Sequence, residues 1–234
     1  MKILAVETSG STCGVTISNG DLCSTIEIYE PHQQDAQLAD CAIECLKHAK
    51  LSISEIDAIA ISAGPGSFTG LRIGASFAKG LCYGLDLETA IPLVPISTLQ
   101  SLADQAVVDE FSNHRIVATI PSHRNLTYIQ YFDALGKPLT EVALVEVEKL
   151  ANGVMYGDRV VGPGTQELVS CLHAIGRIIE VHTEHSWTVL SSRFVANTAN
   201  KQHRAGTLVL MNAKDFVPDY KQEFEVVQKN IVES

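Results

Sequence analysis

The chain has 234 residues, 46% of them hydrophobic and 19% charged, enough for one large domain or two small ones that each bury a core. Its formal net charge of −10 argues against holding a nucleic acid unaided, because an acidic surface repels phosphate; a partner with basic surface would be needed. No uncharged apolar run approaches the roughly 20 residues of a membrane span. The opening run from Met1 to Thr8 is too short for a secretory signal and is interrupted by Glu7.

Six cysteines, at 13, 23, 41, 45, 82 and 171, fall inside apolar patterns with no CxxC pair. That is how reduced core cysteines are placed in cytosolic proteins, and the expected compartment is the cytoplasm.

In chain order, Ile3 to Val6 reads as a short strand, and Cys13 to Ser18 and Leu22 to Tyr29 as two more joined by the hairpin signal Asn19-Gly20-Asp21. Gln33 to Lys50 has helical spacing through Leu38, Cys41, Ala42, Cys45, Leu46 and Ala49. Ile56 to Ser62 reads as a buried parallel strand. It runs into Gly64-Pro65-Gly66-Ser67, then into a helix to about Tyr83 that Thr69 is placed to cap. Leu93 to Ile96 is a strand, and Ser97 caps a helix to about Val107. The polar stretch Asp109 to His114 marks a boundary. Beyond it, Ile116 to Ile120, Leu126 to Phe132 and Leu139 to Val147 read as strands. Val160-Val161 leads into Gly162-Pro163-Gly164 and a helix capped by Thr165. Arg177 to Val181 reads as a strand, Thr188 to about His203 as a helix, and the charged stretch from Lys221 as a frayed tail. A strand entering Gly-Pro-Gly and then a helix occurs in both halves, a sign of internal duplication.

The first glycine turn could point backbone N–H groups at an anion, or could simply be a tight strand-to-helix turn; the Gly-Lys-Ser/Thr of a P-loop is absent. Its helix is rich in small residues: Gly70, Gly74, Ala75, Ser76, Ala78 and Gly80. Each interior glycine costs about 1 kcal/mol relative to alanine, so another backbone is expected at close range. That backbone could belong to this chain's sheet or to a second subunit. Arg72 and Lys79 are the only charges, and the scarcity of solvent-facing positions favours a partner. Glu7-Thr8-Ser9 places an acid and hydroxyls at a strand end, where a nucleotide site would use them, although nothing nearby completes such a site. Cys41, Cys45 and His48 share a helical face but lack a fourth zinc ligand. His182 and His185 lack the glutamate of HExxH. Ser67 is not in a GxSxG elbow.

The runs Ile3-Leu4-Ala5-Val6-Glu7-Thr8-Ser9, Gly64-Pro65-Gly66-Ser67-Phe68-Thr69-Gly70-Leu71-Arg72-Ile73-Gly74 and Pro95-Ile96-Ser97-Thr98-Leu99 resemble the TsaB (YeaZ) family, in order over residues 1–107. The resemblance implies an α/β fold of the actin/hexokinase-like (ASKHA) type, with two related subdomains, each a mixed sheet flanked by helices. These would be residues 1–108, carrying dimerisation helices, and a divergent 109–220, followed by the tail 221–234. It implies a non-catalytic role in forming threonylcarbamoyladenosine next to the anticodon of tRNAs that read codons starting with A. The partners would be a metal-binding TsaD-like catalytic subunit and a TsaE-like ATPase, with tRNA held only in the complex and no membrane. ATP/ADP and metal would sit on partner subunits, with no cofactor on this chain.

Homodimers of the family use the same helical face. By position that face comprises Gln37, Cys41, Cys45, His48, Gly70, Leu71, Arg72, Gly74, Ala75, Ala78 and Lys79. Glu7, Thr8, Ser9, Gly64, Gly66 and Ser67 would be a phosphate-loop remnant. The catalytic relative carries an HxxxH metal pair on its first long helix, whereas here His32 is followed four residues on by Ala36. The alternatives are an ASKHA-type phosphotransferase, for which Glu7 is the one acid available, and a glycoprotease-like metallopeptidase. The second half departs from the family: Pro121 to Tyr128 keeps only the tyrosine, and Pro218-Asp219-Tyr220 continues into Lys221-Gln222.

Overall fold

In the computed structural model, residues 1–29, 34–84, 90–107, 114–177 and 187–220 are described. The elements are β1 (Lys2–Glu7), β2 (Cys13–Asn19), β3 (Leu22–Ile28), α1 (Gln34–Ala49), β4 (Ala58–Gly64), α2 (Phe68–Tyr83), β5 (Leu93–Ser97), α3 (Thr98–Gln105), β6 (Ile116–Pro121), β7 (Leu126–Phe132), β8 (Ala143–Glu146), α4 (Val147–Gly153), β9 (Arg159–Val161), α5 (Thr165–Ala174) and α6 (Ser192–Ala205).

The first sheet has the order β3-β2-β1-β4-β5 and the second β8-β7-β6-β9. In the first, β1 pairs antiparallel with β2 and parallel with β4. In the second, β6 pairs antiparallel with β7 and parallel with β9. The second sheet therefore repeats the strand order and directions of β3-β2-β1-β4. The two glycine turns repeat as well. Gly64 and Gly162 both end a strand with positive φ, 114° and 98°, and a Cβ at either would run into a backbone carbonyl, of Asp219 and Thr119 respectively. The duplication predicted from Gly-Pro-Gly is present in the topology, and the architecture is the two-sheet ASKHA arrangement.

The core lies in four apolar clusters that alternate with the sheets. One face of the first sheet packs on α1 and α2 through Val6, Val15, Ile61, Cys45 and Ala78. Its other face packs on α6 through Ile3, Ala5, Ala60 and Val195. The second sheet packs on α3 through Leu102, Ile116, Tyr128 and Phe132, and on α4 and α5 through Val117, Leu150 and Leu168. Helices α3 and α6 touch each other and so join the two sheets. β4 is buried on both sides, which explains its unbroken apolar sequence.

Four expectations change. Residues 187–220 do not all stay with the second half: Trp187, Leu190 and Phe194 pack in the second sheet's core, but α6 also packs on the first sheet through Val195 and Ala199, and Phe216, 2% exposed, fills the first sheet's core. The predicted strand Leu139 to Val147 is cut short, because β8 starts at Ala143 and the chain enters α4 at Val147 with no side-chain cap to announce it. The last helix begins at Ser192, not Thr188, because Ser191 is its N-cap. Thr165 opens α5 after Gly164 and is not itself the cap. Among the predicted features, the boundary residues 109–113, most of Arg177 to Val181, His182, His185, His32 and the tail 221–234 lie outside the described residues. Among the described residues, no helix is long and apolar enough to cross a membrane.

Candidate functional site

The turn from β4 into α2 is built against the end of β1. Ser67, not Thr69, caps α2: its Oγ accepts the Gly70 N–H at 3.2 Å, while Thr69 lies exposed within the first turn. The Ser67 N–H donates to the Ser9 carbonyl at 2.7 Å, and the Thr8 hydroxyl donates to the Gly70 carbonyl at 2.7 Å. A Cβ on Gly66 would run into Ser9, and one on Gly70 or Gly74 into Thr8. The close backbone that the small residues of α2 require is thus this chain's own β1 end. Glu7, Thr8, Ser9, Gly64, Gly66 and Ser67 come together at the end of β1. They form a packed knot, in which the amides of Ser9 and Ser67 are engaged within the chain.

Above this knot a cleft of about 410 Å³ opens between the sheets. The first sheet contributes Ser9 to Ser11 and Gly66 to Phe68. The second contributes Ile120 to His123, Tyr128 and Pro163, and the segment before α6 adds Thr188 to Leu190. The Ser122–His123 corner is held by a tight turn in which Arg124 and Asn125 have φ of 52° and 63°, with the Ser122 N–H donating to Leu126. The lining is apolar side chains and hydroxyls, with the His123 imidazole. No Lys, Arg, Asp or Glu is among the described lining residues. A metal-bound nucleotide needs carboxylate or cationic partners, and these residues do not fit one. Among the described residues, no group of three His, Cys, Asp or Glu side chains is placed to hold a metal. Sequence reasoning missed Tyr128, Pro163, His123 and Leu190, because they are scattered along the chain and only the meeting of the two sheets assembles them.

Glu7 lies under the cleft with no exposed surface. One carboxylate oxygen accepts the Ser9 N–H and Ser9 Oγ, both at 2.6 Å, and the other accepts the Ser62 hydroxyl. Burial pushes its pKa above the ordinary 4.5, against the opposing effect of the Ser62 and Ser9 hydrogen bonds. A folded pKa above the unfolded one contributes stability below pH 4.5 that is lost as pH rises through the folded value. Glu7→Gln removes that loss. The melting temperature of the variant relative to wild type is therefore expected to rise as pH is raised from 4.5 and to level off above the folded value. A difference independent of pH would show that Glu7 does not titrate as its burial dictates.

The residues assigned by position to a partner face divide into two groups. Leu71, Ala78 and Cys45 are 0% exposed, Cys41 is 3% and Ala75 6%; Gly70 and Gly74 are buried as well. These seven are buried within the chain, and on α2 Thr8 and Ile61 lie against the small side at Gly70 and Gly74. The Cys45 thiol donates to the carbonyls of Val15 and Ser24, both at 3.4 Å. Burial raises the thiol pKa of both Cys41 and Cys45, which disfavours the thiolate that a metal would need. His48 is exposed beside Glu44, so the three candidate zinc ligands do not converge. On the outside remain His48 and Arg72, with Gln37 and Lys79 partly exposed. Around them the structure adds Ile43, 60% exposed, Ser76 and Gly80, and the half-buried Ile73 and Phe77. α1 and α2 lie in contact on one face of the sheet, so these positions share one side of the molecule.

A family profile described as TsaD, tRNA N6-adenosine threonylcarbamoyltransferase, matches residues 31–182. The tRNA threonylcarbamoyladenosine biosynthesis protein TsaB of Haemophilus influenzae is 33% identical over 128 residues, covering 55% of this chain and 52% of the relative. Its Escherichia coli counterpart is 29% identical over 159 residues, covering 68% of this chain and 60% of the relative. The chain thus spans little more than half the length of the curated relatives it matches. The solved structure of YeaZ from Pseudomonas aeruginosa superposes with a TM-score of 0.73 at 22% identity, covering 94% of this chain and 100% of that one, and shows the same fold. The chain belongs to the TsaD-type threonylcarbamoyltransferase family, and the curated relatives it is similar to include TsaB proteins.

Proposed function

We propose that this chain is a non-catalytic subunit in the formation of threonylcarbamoyladenosine next to the anticodon of tRNAs reading codons that start with A. It acts by docking a TsaD-like catalytic subunit through the outer side of α1 and α2. The observation that carries the reading is the division of α2. Its small side is used up inside the chain, yet its outer side still presents Ser76 and Gly80 and the half-buried Ile73 and Phe77, with Arg72 and Lys79 as its two charges. The uncharged cleft supports placing the chemistry, the metal and ATP/ADP on partner subunits. The net charge of −10 supports tRNA being held only within the complex. A TsaE-like ATPase joins that complex, a homodimer through the same face competes with it, and the setting is the cytoplasm.

Gly80 offers the cleanest test. A Cβ there meets nothing within 4 Å, so Gly80→Arg leaves the fold intact and is expected to stabilise it by up to about 1 kcal/mol as a better helix former. Against a partner it places a bulky charge in the interface, and association with a TsaD-like subunit is expected to weaken at least tenfold by calorimetry. Equal affinity for both forms would remove this face from consideration. Normal threonylcarbamoyladenosine levels in cells lacking the chain would sink the functional reading itself.

A further inference from the structure

We propose that the C-terminal stretch from Phe216 to Tyr220 is a clasp that holds the two sheets together at the cleft, so that the cleft loosens when Tyr220 lets go. The stretch is anchored on the first sheet. Phe216 and Pro218 are buried, and the Asp219 N–H donates to the Ala63 carbonyl at 2.7 Å. Gly64 keeps its left-handed backbone where a side chain would run into the Asp219 carbonyl, so the stretch lies directly over the end of β4.

Tyr220 then reaches both walls. Its ring packs on Phe68 with centroids 4.7 Å apart and planes tilted by 47°. Its carbonyl accepts the Tyr128 hydroxyl at 3.4 Å. Phe68 lines the cleft from the first sheet and Tyr128 from the second. Among the described residues the sheets are otherwise joined through α3 packed on α6, and by contacts such as the Thr12 hydroxyl donating to the Leu190 carbonyl at 2.7 Å. A long hydrogen bond and one ring contact are weak enough to break without unfolding either sheet, which is what a reversible closure requires. The coupling runs both ways: a molecule seated between Phe68 and Tyr128 tightens the clasp, and a partner that draws the stretch away widens the cleft. Phe68 also carries the Arg72 guanidinium 5.3 Å from its ring centre, so the clasp reaches the outer edge of α2.

Hydrogen–deuterium exchange on the full chain tests this without any ligand. Tyr220→Ala is expected to raise exchange at least fivefold in both walls, residues 64–71 and 120–128, while α5, remote from the clasp, keeps the wild-type rate. Tyr220→Phe retains the ring and the carbonyl and is expected to behave as wild type. A rise confined to one wall, no rise, an equal rise in α5, or a Phe variant that matches the Ala variant would each overturn the clasp. Should Tyr220→Ala fail to fold, Tyr128→Phe removes only the hydroxyl that reaches Tyr220. The same rise in both walls is then expected, and its absence is equally decisive.

Discussion

Gly70→Val is expected to lower the melting temperature by roughly 6–12 °C. The added side chain would be driven into the Thr8 carbonyl, and backbone at that contact cannot rotate away as a side-chain tip could. Thr8 is 1% exposed, and its hydroxyl is bonded to the Gly70 carbonyl, so it has no empty space to move into. Overpacking typically costs about 1–3 kcal/mol, and a rigid backbone contact puts this case at the upper end, about 3 kcal/mol. At roughly 2–4 °C per kcal/mol for a chain of this size, that gives the stated range. The gain in helix propensity on replacing glycine, under 1 kcal/mol, does not offset it. Calorimetry of the purified variant measures the effect. A melting temperature within 2 °C of wild type would mean that β1 and α2 are not in the contact described. The comparison with Gly80→Arg is informative, because both glycines lie on α2 and only the inward one should matter to folding.

A second large effect is expected at Asp158. Its carboxylate, 3% exposed, accepts two bonds from the Arg115 guanidinium, at 3.1 and 2.7 Å, and a third from the Met155 N–H at 2.8 Å. Arg115 precedes β6 and Asp158 precedes β9, so the pair pins the register of those parallel strands, in which Ile116 lies opposite Arg159. The Asp158 hydrogen bond raises the arginine's pKa further, and the guanidinium also stacks 4.9 Å over Tyr131. Asp158→Ala leaves a half-buried guanidinium with only the Gly153 carbonyl and the Tyr131 ring, and removes the partner of the Met155 N–H. The expected loss is about 3 kcal/mol, or roughly 6–12 °C in melting temperature. Arg115→Lys keeps the charge but loses the two-point fork, and should fall between wild type and Asp158→Ala. Denaturant unfolding of the three proteins checks the order. A loss below 1 kcal/mol for Asp158→Ala would show that the pair adds nothing net.

Much of the local structure was legible because it depends on neighbours in sequence. Asn19-Gly20-Asp21 predicts its hairpin, and Gly20 has the φ of 83° that such a turn needs. Ser97 was readable as a cap, since its Oγ accepts the Gln100 N–H. α4 was not readable: Glu146 precedes it without a capping side chain, and its apolar residues continue the pattern of β8. Ser67 and Thr69 are both capping residue types two positions apart, and only the hydrogen bond to Gly70 separates them.

By itself the sequence determined the family, the strand-turn-helix units and the presence of a helix that must meet another backbone closely. It could not say whose backbone. Small residues on α2 carry the same signal for a partner helix as for Thr8, because sequence spacing records which side is small but not what lies against it. Tertiary structure decided that Gly70 and Gly74 serve folding, that Ile43, Ser76 and Gly80 are left facing outward, and that no Lys, Arg, Asp or Glu is among the described residues lining the cleft. The physical reason is separation along the chain. Thr8 and Gly70, Phe68 and Tyr220, and Arg115 and Asp158 meet only once the two sheets and the chain's return to the first of them are in place.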